Sequence, residues 1–412
     1  TGAVDVPDAQ TGLDDLLSET IVRGGTDDLS PHELALVLDE NAIHLSVSID
    51  EESSAVHLSV LKDDWEKGLS LLKSVLTQPR FDQEVVQTTK QRMLTTLKRQ
   101  GGSAESVVQR EWLIWHFKGH PYGRDPLTGL QTIPAITRND LKAFLNHHFV
   151  PTNMVAAVSG DISKAKALQG LTRLLDSLPD KTAPRRNLDP PEETPPVLAL
   201  VHKPGQVQSQ VMLGMAGIRR THPDFWKLRL LIDILGGHDS LLYRRLRDEL
   251  GLVYSTGFFQ AYRWQAGLLM GYIGSRGDQT DQAIAETIRI IKALSKDVPG
   301  SDFNLKRLDA LNSFVFNVDS PTALVSTYAH YFMREEPLDT LDRIQEQFIS
   351  AQKEDMIRLA KTYLDTNQLQ IMVVADKTIP VIGSDGNQTT LENSLQQLAG
   401  RLGLPYREVP LR

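Results

Sequence analysis

Residues 42–60 read Ala42-Ile-His-Leu-Ser-Val-Ser-Ile-Asp50, Glu51-Glu-Ser-Ser54 and Ala55-Val-His-Leu-Ser-Val60. Apolar and polar residues alternate in the first run, so that Ile43, Leu45, Val47 and Ile49 share one face, and the alternation returns in the second run with Val56, Leu58 and Val60. A period of two is typical of a β-strand with one buried face. The short polar segment between the runs predicts a β-hairpin.

Helical patterns follow this hairpin. Apolar residues recur with helical spacing in residues 63–76, 81–98, 104–117 and 138–149, and Ser103 and Thr137 stand where N-caps are expected. Hairpins and helices therefore cluster along the chain and do not alternate strictly. This order predicts an α+β fold, in which a mainly antiparallel sheet carries helices on one face, and it disfavours a doubly wound parallel sheet.

A proline-rich, charged stretch interrupts these patterns near the middle of the chain. Residues 179–196 read PDKTAPRRNLDPPEETPP. Such a composition is typical of an extended linker. We therefore predict an N-terminal domain over residues 1–178, a linker over 179–196 and a C-terminal domain over 197–412.

The two predicted domains resemble each other. Gly24-Gly25, followed by a segment that begins at Ser30, matches Gly236-Gly237, followed by a segment that begins at Ser240. A second match joins residues 153–161 to residues 367–376: each follows a helix end and a Thr-Asn turn, and each is predicted to be a buried strand. All offsets lie between 210 and 214 residues, which indicates two copies of one domain.

The segment from Ser240 to Ser255 holds the main candidate site residues. Ser240 is a plausible N-cap, Gly251 is a natural helix stop, and residues 253–259 are predicted to be a strand. The Arg247 side chain is then expected to project from the last helical turn and the Tyr254 side chain from the strand. Both can therefore donate hydrogen bonds to one carbonyl or oxyanion. From the spacing alone, an ion pair for Arg247 and sheet packing for Tyr254 are the better explanation of the pattern.

The composition excludes several functional classes. The chain has 412 residues, of which 41% are hydrophobic. Its net charge is −8, whereas a protein that binds nucleic acid usually carries positive charge to match the phosphate backbone. No apolar run is long enough to span a membrane. Because the chain has no cysteine, it offers no disulfide, thiolate nucleophile or cysteine metal site. The chain starts at Thr1 without Met, so we expect that a targeting peptide was removed or that the beginning is missing.

Several short motifs occur in one order that resembles a known family. They are Gly12-Leu13, Gly24-Gly25-Thr26, Phe117-Lys-Gly-His-Pro-Tyr-Gly123, Pro151-Thr-Asn153 with Gly160-Asp161, and Leu246-Arg-Asp-Glu-Leu-Gly-Leu-Val-Tyr254. Together with the duplication, they resemble the pitrilysin or insulinase-like zinc metallopeptidases, in the subgroup of the processing-peptidase-like bacterial enzymes. The resemblance implies two homologous domains that form one clam-shell half of a peptidase chamber. Family members usually have one or two strands before the zinc helix, so part of the first sheet is expected to be absent.

The zinc motif of that family is degenerate in this chain. Active members carry His-x-x-Glu-His on the helix after Gly-Leu, with two histidine ligands and a glutamate base. The corresponding residues are Asp15, Ser18 and Glu19. The family's third ligand, a glutamate, should fall within residues 81–99, where only Asp82 and Glu84 are acidic. The resemblance therefore implies no zinc in this chain and a zinc ion on a partner subunit.

Histidine pairs are the other metal candidates. His116 and His120 have ligand-like spacing, but Gly119 and Pro121 break the helix that would align them, so a capping or packing role is the better prediction. His147 and His148 are adjacent, face different directions on a helix and are predicted to lie on the surface.

The second half keeps the pair of residues that, in the family, hydrogen-bonds the substrate backbone. Arg247 and Tyr254 match that pattern. We therefore expect a non-zinc-binding subunit of a heteromeric zinc metalloendopeptidase, inactive alone, which faces a homologous zinc-bearing subunit and acts on extended peptides. The alternative is a non-catalytic scaffold or peptide-binding protein derived from the same family. Since related bacterial pairs are commonly exported and cysteine is absent, we expect the periplasm.

Overall fold

The computed structural model describes residues 1–184, 188–383 and 386–411. The α-helices are α1 (Leu13–Thr20), α2 (Pro31–Glu40), α3 (Trp65–Thr77), α4 (Gln83–Gly102), α5 (Ala104–His116), α6 (Gly129–Thr132), α7 (Arg138–His148), α8 (Lys164–Leu175), α9 (Phe225–Gly236), α10 (Leu241–Tyr243), α11 (Thr280–Leu294), α12 (Gly300–Ser313), α13 (Pro321–Met333), α14 (Thr340–Ser350), α15 (Lys353–Tyr363) and α16 (Leu391–Leu402).

The strands form two hairpins and one large sheet. They are β1 (His44–Ile49), β2 (Ser54–Ser59), β3 (Val197–His202), β4 (Gln208–Gly217), β5 (Val253–Tyr262), β6 (Gly267–Arg276), β7 (Gln370–Ala375), β8 (Pro380–Ile382), β9 (Gln388–Thr390) and β10 (Tyr406–Val409). Strand β1 pairs with β2, β8 pairs with β9, and the large sheet has the order β10-β3-β7-β4-β6-β5.

The chain divides into two compact units. One comprises Thr1–Arg99, Arg124–Asn187 and Phe316–Thr340, and the other comprises Gln100–Gly123, Leu188–Val315 and Leu341–Arg412. Residues 179–184 and 188–196 of the predicted linker are neither helix nor strand, and residues 185–187 lie outside the described residues. The domain boundaries at this linker stay a prediction.

The hairpin and the caps that the sequence predicts are present, with the hairpin and Thr137 in the first unit and Ser103 in the second. Strands β1 and β2 pair antiparallel, with Val47 opposite Val56. The Ser103 hydroxyl accepts from the backbone N–H of Ser106, and the Thr137 hydroxyl accepts from that of Asp140. These hydrogen bonds confirm the predicted helix starts, because an N-cap side chain satisfies a backbone donor that the helix itself leaves unpaired.

Residues 154–159 differ from the prediction. They form no strand, and Val155 and Val158 are exposed, whereas the matching segment in the second half is β7, buried throughout. Strand β7 lies between β3 and β4, while among the described residues β1 and β2 pair only with each other. An extended segment without neighbouring strands cannot satisfy its backbone groups by ladder pairing, so it does not become a strand.

The second unit is built on the large sheet. Its β4–β7, β4–β6 and β5–β6 pairs are antiparallel, and its β10–β3 and β3–β7 pairs are parallel. Helices α9, α11 and α16 pack against it and share one buried apolar cluster with it. The predicted α+β class with a mainly antiparallel sheet is confirmed, and these three helices lie on one face of the sheet.

One helix also covers part of the second face of this sheet. Helix α5 packs on β4 and β7, and the indole N–H of Trp112 donates to the carbonyl oxygen of Gln370 at 2.9 Å. A Cβ atom at Gly214 would lie 2.7 Å from Cζ2 of Trp112, so this position needs glycine for the helix to approach. Because α5 lies over the middle of the sheet, the part of this face near β5 and β6 carries exposed side chains.

The two halves repeat one order of elements. A helix, a Gly-Gly pair, a serine N-cap, a second helix and a hairpin occur over α1 to β2 and again over α9 to β6. Both Ser30 and Ser240 accept a hydrogen bond from the backbone of the third residue after them, at 3.3 Å in each case. The described part of the chain has no helix that is both long and apolar enough to cross a membrane.

Candidate functional site

The first candidate region is helix α1, where the family's zinc motif would stand. Gly12 has a left-handed backbone with φ of 91°, and the helix begins at the next residue. Leu16 and Leu17 are fully buried, so they hold the inner face of the helix against the core. Asp15 and Glu19 lie one turn apart on the same side, and the Ser18 hydroxyl donates to the carbonyl oxygen of Asp15.

An ion pair stands where a metal bridge between α1 and α4 would be expected. Arg92 of α4 donates to the carboxylate of Glu19 at 2.5 Å, and Arg23 lies 3.5 Å from the same oxygen. Glu19 therefore takes part in a contact with positive charge from its own chain. Sequence reasoning missed Arg92. The available signal was that an arginine lies on α4, the helix on which the family's glutamate ligand was expected.

Two carboxyl groups of α1, those of Asp14 and Asp15, have raised pKa values. Burial raises the pKa of Asp14. The Asp15 side chain reaches solvent, yet the surrounding protein and the negative charges of Asp14 and Glu19 raise its pKa to about 6. The negative charges of Asp14 and Glu19 repel the ionised form of Asp15, and protonation relieves that repulsion.

The described residues do not fit the family's zinc site. Asp82 caps α4, because its carboxylate accepts from the backbone N–H of Glu84 at 3.0 Å. Glu19 is paired with Arg92. Over residues 1–184, 188–383 and 386–411 there is no group of three or more histidine or carboxylate side chains that could hold a metal. No step of a mechanism can therefore be assigned to a metal on this chain.

The histidines at 116 and 120 have separate structural roles. His116 is buried, stacks on Trp112 with ring centroids 4.7 Å apart and hydrogen-bonds the Gln370 side chain at 2.8 Å. Burial lowers the pKa of His116. A ring nitrogen of His120 accepts from the backbone N–H of Tyr122. These contacts agree with the predicted packing and capping roles.

The prediction for the adjacent pair is wrong at one position. His147 is exposed, but His148 is buried and lies against Phe144 with ring centroids 4.3 Å apart. Burial lowers the pKa of His148. Of two adjacent residues on an amphipathic helix, one can face solvent while the other faces the core. His148 is on the core-facing side, as is Phe144 one turn earlier.

The second candidate region is the junction between helix and strand at residues 240–255. The predicted cap is present at Ser240, and α10 runs directly into a π-helical turn, Arg244–Glu249. Gly251 has φ of 61°, and Leu252 donates to the carbonyl oxygen of Leu246 at 2.8 Å to close the helix. π-Helical turns are rare and occur often at functional sites.

Three arginines leave this short helix, and two of them are paired. Arg244 donates to the carboxylate of Asp302, and Arg245 donates to Glu286 and Glu249, at 2.7 Å in both cases. Arg247 is exposed and lies over the ring of Tyr243, 5.1 Å from its centroid. Among the described residues, its guanidinium has no carboxylate partner. The ion-pair explanation that the sequence left open therefore holds for Arg244 and Arg245 and not for Arg247.

Tyr254 stands in a β-bulge at the start of β5. The register between β5 and β6 shifts between Val253 and Ser255, and Tyr254 is 52% exposed. A bulge leaves one residue out of the regular ladder and re-aims its side chain. Within the described part of the chain the Tyr254 hydroxyl has no hydrogen-bond partner. The alternative that Tyr254 packs within the sheet does not describe this geometry.

Family models match most of the chain. Residues 1–126 match the model described as insulinase, peptidase family M16, and residues 135–308 match the model described as the peptidase M16 inactive domain. The chain belongs to peptidase family M16. The positions that the resemblance assigns to the family's zinc motif hold Asp15, Ser18 and Glu19.

Relatives with different descriptions match this M16 chain. A Helicobacter pylori protein named non-peptidase homolog YmxG is 23% identical over 89% of this chain and 85% of its own length. The zinc protease PqqE of the same organism is 24% identical over 60% of this chain and 57% of its own length. The crystal structure of a peptidase M16 inactive domain from Pseudomonas fluorescens superposes with a TM-score of 0.81 at 20% identity, over 90% of each chain. This superposition confirms the fold.

Proposed function

We propose that this chain is the non-zinc-binding subunit of a heteromeric M16 peptidase. In this proposal Arg247 and Tyr254 donate hydrogen bonds to the substrate backbone and to the oxyanion that develops at the scissile carbonyl. The metal and the general base belong to a homologous partner subunit, and this chain alone is inactive. Substrates are extended peptides, because the chamber that two such subunits would enclose admits segments and excludes folded domains.

The observation that carries the proposal is the free guanidinium of Arg247. Its neighbours Arg244 and Arg245 are each held by carboxylates, whereas Arg247 has no such partner among the described residues. An unpaired arginine on a rigid, capped turn has its donors available for a ligand. Its position in the sequence relative to Tyr254 also matches the family's pattern, while the equivalent residues in the first half are Val37 and His44. The shared fold therefore does not require the pair.

The chemistry of the pair suits a carbonyl that gains negative charge. Arginine is always charged, and a tyrosine hydroxyl donates one hydrogen bond. Donors that are already oriented stabilise the transition state more than the ground state, because the charge they meet develops only during the reaction. Loss of one such donor commonly lowers kcat by a factor of about 10² to 10³.

Two further observations support a partner that brings the metal, and a third concerns the compartment. The Glu19–Arg92 ion pair occupies the degenerate motif of this chain. Helicobacter pylori has both a relative named as a non-peptidase homolog and a relative named as a zinc protease. The absence of cysteine suits an oxidising compartment, and we propose the periplasm on this ground.

Reconstitution with a zinc-bearing M16 subunit from the same organism tests the proposal. Arg247→Ala and Tyr254→Phe are expected to lower kcat of the complex by about 10² or more with little change in assembly. Arg229→Ala is the matched control, since it removes an arginine of helix α9 that is already paired with Asp233 and takes no part in holding the turn. The proposal fails if the Arg247 and Tyr254 variants hydrolyse peptides at the wild-type rate, or if the control loses as much activity as they do.

A second candidate function is a non-catalytic scaffold or peptide-binding protein. The observation in its favour is the relative named non-peptidase homolog, which matches nearly the whole chain. A scaffold has no need of two donors without partners among the described residues, seven positions apart at one helix-to-strand junction, which favours the first proposal. A complex that assembles but whose activity is indifferent to both Arg247→Ala and Tyr254→Phe would support the scaffold.

A further inference from the structure

The large sheet has an uncovered patch beside Tyr254 that the proposed function does not use. Directly opposed residues of neighbouring strands point to the same face. The register therefore places three rows on one face across β4, β6 and β5: Gln210, Gly274 and Ser255; Met212, Tyr272 and Gly257; and Gly214, Met270 and Phe259. Gly214 is the residue that lies under Trp112 of α5, so this is the face that α5 covers only in part.

Two aromatic rings are exposed on this patch. Tyr272 is 41% exposed and Phe259 is 38% exposed, although both lie in the middle of paired strands. Phe259 stands two residues beyond Gly257, the residue opposite Tyr272, and aromatic side chains reach such diagonal neighbours. We call the exposed rings of Phe259 and Tyr272 the aromatic platform; Met212 and Met270, in the same rows, are buried.

Gly257 determines how the Tyr272 ring lies. A Cβ atom at Gly257 would stand 2.7 Å from Cε1 of Tyr272 and 3.0 Å from its hydroxyl oxygen. The ring therefore lies over the backbone of β5 in space that any larger residue would occupy. A ring in this position presents an apolar face to an incoming group, where an upright ring would present its edge.

The chemistry of the platform selects the kind of group that it can receive. None of the nine residues in the three rows carries a charge at neutral pH, and the polar ones, Gln210 and Ser255, lie in the row nearest Tyr254. An apolar floor next to a polar row fits a peptide whose backbone runs past Tyr254 and whose large side chain rests on the rings. Three residues of strand separate Tyr254 from Gly257, which is about 10 Å.

We propose that the aromatic platform is a specificity site that receives an aromatic or large aliphatic side chain of the peptide, about three residues from the cleaved bond. This inference rests on the proposed function, since the backbone contacts at Arg247 and Tyr254 set where the cleaved bond lies. Tyr272 is the specificity-determining residue, and Phe259 extends the surface. The substrate class is therefore an extended peptide with an apolar side chain at this distance.

Binding and hydrolysis of one peptide series test the platform. The series places a single Phe at successive positions in a background of Ser, Gly and Lys, and an all-Ser peptide serves as the reference. With the chain alone, fluorescence anisotropy should show tighter binding of a Phe peptide than of the reference. In the reconstituted complex, Phe about three residues from the cleaved bond should raise kcat/KM about tenfold.

The variants separate the platform from the donors. Tyr272→Ser should remove the Phe preference in both assays, Tyr272→Phe should keep it, and Arg247→Ala should lower kcat for both peptides to a similar extent. Trp264→Ala is the matched control, since Trp264 is 43% exposed in the turn between β5 and β6, outside the three rows. A Phe preference that survives Tyr272→Ser, or is lost equally in Trp264→Ala, overturns the platform. The remaining outcome is that the Phe preference depends on Tyr272 but Arg247→Ala is fully active. This result would support the platform and overturn the proposed function.

Discussion

The carboxylate of Glu286 ties the helical turn that carries Arg247 to helix α11, and its removal should loosen that turn. Arg289 donates to Glu286 at 2.6 and 2.7 Å, and Arg245 donates to it at 2.7 Å. These hydrogen bonds, those from Arg289 first, outweigh partial burial and lower the pKa of Glu286 to about 2 from an ordinary value near 4.5. Glu286 is thus the shared acceptor of a small network.

The pKa shift sets the size and the sign of the effect. The two pKa values correspond to at most about 3 kcal/mol of stabilisation. Because the Arg245 and Arg289 side chains are 39% and 59% exposed, solvent screens the network and we expect about 1–2 kcal/mol. A carboxylate whose pKa is lowered by folding stabilises the protein fully above about pH 4.5, and this stabilisation is lost as the pH falls toward about 2.

Glu286→Gln tests this reasoning by urea unfolding between pH 7 and pH 3. We expect the variant to be less stable than the wild type at pH 7 and the difference to shrink by more than half at about pH 3. Hydrogen exchange of residues 241–252 should quicken in the variant at pH 7. Glu249→Gln is the control, with less than about 0.5 kcal/mol expected, because Glu249 is 57% exposed. A difference between wild type and Glu286→Gln that stays constant over this pH range would refute the reasoning.

Three further changes have defined expectations. Ser240→Ala removes the cap of the turn that carries Arg247 and should destabilise the protein by about 1 kcal/mol in urea unfolding; an unchanged midpoint would contradict the capping role. Trp112→Phe leaves the carbonyl oxygen of Gln370 without its indole donor and should cost about 1–3 kcal/mol, whereas the exposed Trp264→Phe should cost much less. Asp15→Asn should stabilise the protein at pH 7 and progressively less as the pH falls from about 6 to about 4, because a carboxyl with a raised pKa destabilises the folded state only when ionised; a benefit independent of pH would exclude Asp15 as its source.

Local elements could be predicted because neighbouring residues determine them. The caps at Ser103, Thr137 and Ser240 depend on a hydroxyl and a backbone N–H three residues later, so the sequence contains both partners. The hairpin of β1 and β2 follows from alternation and a short connection in the same way. The family motifs, together with the degenerate segment at Asp15 to Glu19, indicate the M16 family from the sequence alone.

Features that depend on distant neighbours could not be predicted in this way. Residues 154–159 have the same strand-like composition as β7, but only β7 has strands on both sides. His148 is buried although its immediate neighbour is exposed, because the position of the helix against the core decides it. The Glu19–Arg92 pair joins two helices that are separated by more than sixty residues in the chain, and no local sequence pattern predicts this ion pair.

The same distinction between local and distant determinants applies to the candidate site. The sequence by itself determined that Arg247 and Tyr254 stand at a helix-to-strand junction, since the cap at Ser240, the glycine at 251 and the strand pattern of residues 253–259 are all local signals. Only the tertiary structure decided that Arg244 and Arg245 are neutralised by Asp302 and Glu286 while Arg247 has no carboxylate partner among the described residues. The reason is physical: a backbone turn is stabilised by groups a few residues away, whereas the fate of a charge depends on which distant carboxylates the fold brings within hydrogen-bonding distance.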